Sequence, residues 1–204
     1  RVQTYVTASI RWLARRLPDF VARHPDVRIQ LSTCAFDWNF DDSIADVGLV
    51  YCATPPGPEY HWVPLFDYTL FPVCSPQVAA RLGQAPTPAA VLEQPIVEIY
   101  SEPRHWDAWC ESANLSYERR PALVVDTLAV ALEIALQGRG IALVNGPFAD
   151  EDLAAGRLVR ACRHEVTCPG AWGLICRTES LQSERVRTFM DWLVGQAPAR
   201  PAAA

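Results

Sequence analysis

Apolar and polar positions along this chain fall into short blocks whose period switches between two and three to four. Residues 2–7 read as a strand. Ile10, Leu13, Leu17, Phe20 and Val21 then recur at helical spacing, with Ser9 placed to cap them. Pro18 falls inside that pattern, so it kinks the helix or marks its real start. His24-Pro25-Asp26 ends the segment. Residues 27–34 alternate Val27, Ile29 and Leu31 with Arg28, Gln30 and Ser32, as a half-buried strand does. Residues 47–52 form a short buried strand, and Thr54-Pro-Pro-Gly-Pro58 a stiff loop.

The stretch from Leu65 to Pro76 is the most informative in the chain. It is strand-like and apolar, and it ends on Ser75-Pro76, a helix cap followed by proline at the first helical position. It predicts a strand that leaves one domain and opens a helix in the next. Helices follow at 76–82 and 88–93, a strand at 96–100, and a helix at 105–113 carrying Trp106, Trp109 and Cys110 on one side. Residues 123–125 are a strand, and Thr127 caps an apolar helix at 128–136 that stops at Gly138. A strand at 141–144 and a helix at 147–155 come next. Residues 174–176 form the return crossover, and 181–194 a closing helix with Val186, Phe189, Met190 and Leu193 inward. Alternating strands and helices argue for βα units and mostly parallel sheets. The expected fold class is α/β, with a first lobe from 1–72 plus 175–197, a second from 73–174, and a disordered tail at 198–204.

Composition narrows the function. Half of the 204 residues are hydrophobic, yet no apolar run reaches the length of a membrane span, so no membrane partner is expected. A net charge of −5 makes the chain itself a poor ligand for nucleic acid. All 18 basic residues are arginine, read as coding bias. The seven cysteines are odd in number and scattered, which fits reduced, buried thiols and a cytoplasmic setting. Cys162, His164 and Cys168 are soft donors, but their spacing matches no standard zinc site and a fourth ligand is lacking. No metal and no cofactor are expected. Residue 1 is Arg and already opens a strand, so the natural protein is expected to continue upstream.

Several motifs resemble the effector-binding domain of LysR-type transcriptional regulators. Arg11-Trp12-Leu13, Phe20 and Arg23-His24-Pro25-Asp26-Val27 are similar to that domain's opening. Leu65-Phe66-Asp67 with Phe71-Pro72-Val73-Cys74-Ser75-Pro76 continues the likeness. So do Trp106-Asp107-Ala108-Trp109, Gly138-Arg139-Gly140-Ile141-Ala142-Leu143, residues 152–159 and Phe189-Met190-Asp191-Trp192-Leu193. The ordered set spans nearly the whole chain and is closest to the branch of the glycine-cleavage activator and the β-lactamase regulator. The resemblance implies two Rossmann-like lobes joined by two crossover strands, in a periplasmic-binding-protein-like (type 2) topology. It implies a small effector bound between lobes and a winged helix-turn-helix DNA-binding domain upstream. It also implies homodimers and tetramers formed through helix 10–23, strand 27–32 and helix 128–137. Two departures stand out. Val50 and Cys52 replace the Arg and Gly that relatives carry in the third strand, and Pro18 sits later than their first-helix proline.

Candidate chemistry follows from the rule that ligands gather at the carboxyl ends of strands, near helix N-termini. That rule selects Thr7, Ala8 and Ser9, then Ser32 and Thr33. Later it selects Tyr100 and Ser101, Asp126 and Thr127, and Asn145 and Gly146. The family's effector positions fall on the same loops. A competing role exists for each: Ser9, Ser101 and Thr127 as helix caps, Asn145-Gly146 as a turn, Tyr100 as packing. Arg104 and Arg139 can fork onto a carboxylate. Trp38, Phe40 and Trp62 can line an apolar pocket, with core packing favoured. The chain has no Gly-x-Ser-x-Gly, phosphate loop or His-Glu-x-x-His. Gly138-Arg-Gly140 is too short for a dinucleotide fingerprint. His24, His61, His105 and His164 lack a nucleophile partner, and acid–base work by Asp37, Asp41, Asp42 or Glu98 has no support. The sequence therefore points to a sensor of a small polar or anionic metabolite, not an enzyme. The alternatives are a periplasmic-type solute-binding protein, against which unpaired cysteines argue, and a cleft enzyme of the same fold.

Overall fold

A computed structural model describes residues 1–34, 39–102, 104–118 and 120–197. Trp38, Asp37 and the 198–204 tail lie outside the described residues. In chain order the elements are strand β1 (Val2–Tyr5), helix α1 (Val6–Ala8), a π-helical turn (Ser9–Leu13) and helix α2 (Leu17–Arg23). Strands β2 (Leu31–Cys34), β3 (Val47–Cys52) and β4 (Tyr60–Cys74) follow, then helices α3 (Pro76–Leu82) and α4 (Pro88–Leu92). Next come β5 (Ile96–Ile99), α5 (His105–Ser112), β6 (Leu123–Val125), α6 (Leu128–Leu136) and β7 (Ile141–Asn145). The chain closes with α7 (Asp150–Ala154), β8 (Val159–Arg160), β9 (Val166–Arg177), a 3₁₀ turn (Thr178–Gln182) and α8 (Glu184–Gln196).

These elements divide into two compact units: Arg1–Tyr68 with Pro169–Ala204, and Thr69–Cys168. In the first, the strands run in the order β2-β1-β3-β9-β4. β1 lies parallel to both β2 and β3, and β3 lies antiparallel to β9. Trp12, Leu13, Phe20, Leu49, Trp172 and Leu193 are fully or almost fully buried and form its core. Phe20 meets Phe189 edge to face at 5.2 Å and Trp192 at 5.0 Å, which fixes α2 against α8. In the second unit the order is β4-β7-β5-β6, with β8 on the other side of β4. β5 is parallel to β6 and β7, while β4 is antiparallel to β7 and β8. Every residue of β5 and β7 is buried, as expected for parallel strands covered on both faces.

Several boundaries differ from the expected ones. β1 stops at Tyr5, the last described residue in its ladder to β2, and Val6 opens α1. Ser9 therefore lies inside a helical run, where its carbonyl accepts from Ala14 N at 2.8 Å, and it is not a cap. The helix expected at 10–23 is interrupted: Pro18 sits in the first turn of α2 and marks its real start. β2 begins at Leu31, so Val27 and Ile29 precede the ladder. The return crossover is the 12-residue β9, far longer than 174–176, and residues 147–149 are a turn before α7.

Candidate functional site

In the second unit, β5, β6 and β7 run in parallel, so their carboxyl ends share one edge of the sheet. Three loops leave that edge. After β5, Tyr100 N donates to Val125 O at 3.0 Å, which ties the first loop to the end of β6. Ser101 Oγ donates to Asp126 O at 3.1 Å, joining the loop ahead of α5 to the loop ahead of α6. Tyr100 is exposed. Asn145, the last residue of β7, is buried opposite Leu70, and Gly146 turns the chain away with a φ of 61°. That left-handed conformation suits glycine.

Thr127 is the N-cap residue of α6, but its hydroxyl makes no capping bond. It lies 3.4 Å from Asp126 Oδ1 instead, so the expected cap role fails while the position holds. Trp106 Nε1 donates to Val97 O at 3.1 Å and anchors α5 on β5. Arg104 is exposed at the start of α5, on the same edge. His105 Nδ1 pairs with Glu102 Oε2 at 2.8 Å beside it. Arg139, by contrast, lies just before the amino end of β7, at the opposite edge from Asn145. It is no part of this cluster.

The first unit offers a more closed arrangement. Thr7, Ala8 and Ser9 are buried in the helical turns that follow the carboxyl end of β1. Ser32 and Thr33 lie within β2, paired with Gln3 and Thr4, not in a loop beyond it. The same edge carries an aromatic cluster that the sequence reading passed over. Tyr5 ends β1 and meets Trp172 edge to face at 5.3 Å, and Tyr51 packs on Tyr68 at 4.4 Å with the rings tilted by 41°. Tyr51 also donates its hydroxyl to Pro169 O at 2.8 Å. The signal was an aromatic residue at the last or next-to-last position of two neighbouring parallel strands.

Phe40 and Trp62 turn out to be packing residues. A side chain added at Gly48 would meet the Phe40 ring at 2.6 Å, and one at Gly173 would meet Trp62 at 2.7 Å. Each aromatic ring closes over a glycine. Val50, where relatives carry Arg, is buried in β3 opposite Gly173. An arginine there would bury an unpaired charge unless its neighbours changed too.

Of the acids named earlier, Asp41 and Asp42 are engaged structurally, Asp37 lies outside the described residues, and the buried Glu98 Oε1 has no hydrogen-bond partner among the described residues. Asp42 accepts from Arg177 Nε at 2.5 Å and from the Tyr60 hydroxyl at 3.2 Å, while Asp41 holds Ser43. Glu98 is buried in β5. All seven cysteines are free thiols. Burial pushes Cys74 and Cys110 up to about 11, so they stay protonated and unreactive at neutral pH. His164 meets Trp109 edge to face at 5.3 Å and its Nε2 lies 2.8 Å from Ser112 Oγ, so its ring is held by groups other than Cys162 and Cys168. Among the described residues no helix is long and apolar enough to cross a membrane.

A family model described as the LysR substrate binding domain matches residues 1–198. The chain is 36% identical to the HTH-type transcriptional regulator TrpI of Pseudomonas aeruginosa over 152 residues, covering 72% of this chain and 51% of that protein. It is 32% identical to the HTH-type transcriptional activator AmpR of the same organism, covering 94% of this chain and 63% of AmpR. The effector domain of Pseudomonas aeruginosa AmpR superposes with a TM-score of 0.78 at 28% identity, over 95% of this chain and 92% of that one. The chain thus spans between half and two thirds of the length of these full-length relatives. They are transcriptional regulators, not enzymes.

Proposed function

The chain belongs to the LysR substrate-binding domain family, and on that premise we propose that it is the effector-sensing and oligomerisation part of a bacterial transcriptional regulator. It works in the cytoplasm, and a small polar or anionic metabolite is its ligand. The observation that carries this reading is the convergence of Tyr100-Ser101, Asp126-Thr127 and Asn145-Gly146 on one sheet edge, at the start of α5 and α6. A helix N-terminus carries partial positive charge, which favours an anionic group. Hydroxyl, amide and guanidinium groups at Ser101, Thr127, Asn145 and Arg104 supply the polar contacts that fix orientation. Thr7, Ala8, Ser9, Ser32 and Thr33 are the proposed contributors from the first unit. Effector binding changes the balance between two arrangements of the regulator, by as much as its affinities for the two differ. DNA is contacted by a separate helix-turn-helix domain.

Self-association through segments 10–23, 27–32 and 128–137 completes the proposal. Supporting it, Ile10, Val21 and Val130 are large apolar side chains left exposed on those segments. The test is calorimetric titration of the chain with a panel of amino acids and small carboxylates, repeated on Thr127→Val. A hydrogen bond to a charged group contributes roughly 1.5–3 kcal/mol, so the variant should bind at least about tenfold more weakly with an unchanged melting temperature. An unaltered titration would remove Thr127 from the site.

A further inference from the structure

The opposite edge of the first unit carries a second site. β1, β2 and β3 are parallel, so their amino ends gather together, at the far end of the strands from Thr7 and Thr33. A basin of about 340 Å³ opens there, between those strand starts and α8. Apolar Val2, Val186 and Phe189 are among the residues that line it, beside polar ones. Its rim is cationic: Arg28 and Arg185 both line it and both are exposed, and neither has an acidic partner among the described residues. Ser180 and Ser183 add hydroxyl groups.

Two acids stand near, and neither cancels that charge. Asp46 lines the basin but is held by the Arg1 guanidinium at 2.8 Å, which offsets its charge. Glu184 opens α8 and is exposed without lining the basin. Two guanidiniums without an acidic partner among the described residues, in a chain of net charge −5, form a local reversal of sign. The volume lies at the lower end of the range for small-molecule pockets, which run from roughly 300 to 1,000 Å³.

We propose that this basin, between the amino ends of β1–β3 and the start of α8, binds a small amphiphilic carboxylate. The apolar body rests on Val2, Val186 and Phe189, and the carboxylate is forked by Arg28 and Arg185. Guanidinium matches carboxylate geometry bidentately, and the apolar side chains in the lining favour a carboxylate with an apolar body over a bare inorganic anion. The site is separate from the strand-end loops at Tyr100, Thr127 and Asn145, and it shares Arg28 with the 27–32 segment proposed above for self-association.

The experiment is an amide NMR titration of the chain with hexanoate, with hexanol and inorganic phosphate as controls for body and charge. Hexanoate should shift the amides of Val2, Val186 and Phe189 saturably, and both controls should bind at least about tenfold more weakly. Arg28→Gln and Arg185→Gln should each weaken hexanoate about tenfold, while Arg139→Gln, on an exposed arginine elsewhere, changes nothing. Equal binding of hexanol, or an unaltered titration in Arg185→Gln, overturns the proposal. So does saturable shifting confined to the Tyr100, Thr127 and Gly146 amides, which would leave the effector reading standing alone. Failure of Thr127→Val to affect any ligand would remove Thr127 from the effector site and leave this proposal intact.

Discussion

Trp192 donates its indole N–H to Asp19 Oδ2 at 2.9 Å, and Arg23 grips the other oxygen of the same carboxylate at 2.9 Å. The bond from Trp192 holds the Asp19 carboxyl below the usual carboxylate range, with Arg23 adding to it. A carboxylate depressed by folding stabilises the fold above its unfolded pKa of roughly 3.9 and loses that effect as pH falls through its folded value. Asp19→Asn should therefore lower the urea midpoint at pH 7, and the gap to wild type should close progressively below about pH 4. A gap that stays constant down to pH 2 would mean the charge of Asp19 contributes nothing. Most of this was invisible in the sequence. Spacing placed Phe20 inward, but nothing in it pairs residue 19 with residue 192. The strand-end rule selects Ser101, Asp126 and Thr127 alike, yet the bond from Ser101 to Asp126 O emerges only once two loops lie side by side.

Elements bounded by proline or glycine were the most legible. α3 and α6 occupy the residues that Ser75-Pro76 and Gly138 delimit, because a missing N–H or a φ of 68° stops a helix outright. Strand ends were less so, since they depend on ladder partners far away in sequence. The strand expected over residues 2–7 gives way to α1 at Val6, and Val27 and Ile29 alternate correctly without joining the ladder. β9 was the largest shortfall, because Pro169-Gly170 reads as a turn. Gly170 instead sits within the strand at φ 90°, and a Cβ there would lie 2.5 Å from the Cys52 carbonyl oxygen. Neither the backbone angle nor the space admits a side chain. Gly170→Ala should cost roughly 1–3 kcal/mol, read as a lower urea midpoint with an unchanged slope. Wild-type stability in that variant would show that β9 relaxes there at no cost.

Two strands belong to both units. β4 gives residues 60–68 to the first and 69–74 to the second, and β9 gives 166–168 to the second and 169–177 to the first. A chain of 204 residues exceeds the roughly 150 below which a single unfolding transition is the rule, so size alone permits two. Shared strands argue the other way. Melting one unit frees the ends of β4 and β9 and removes the frame that sets their register in the other. We therefore expect one cooperative urea transition. Tryptophan reports on each unit separately: Trp106 and Trp109 lie in the second, and Trp12, Trp62, Trp172 and Trp192 in the first. Fluorescence from variants keeping the tryptophans of only one unit should give the same midpoint as far-UV circular dichroism. Ligand linkage sharpens the test, because a ligand at 100 times its Kd adds about 2.7 kcal/mol to whatever unfolds with its site. Hexanoate, proposed for the first unit, should then raise the midpoint reported by Trp106 and Trp109 as much as that reported by the first unit. A shift confined to the first unit would mean that the two units unfold independently and that β4 and β9 transmit no stability between them.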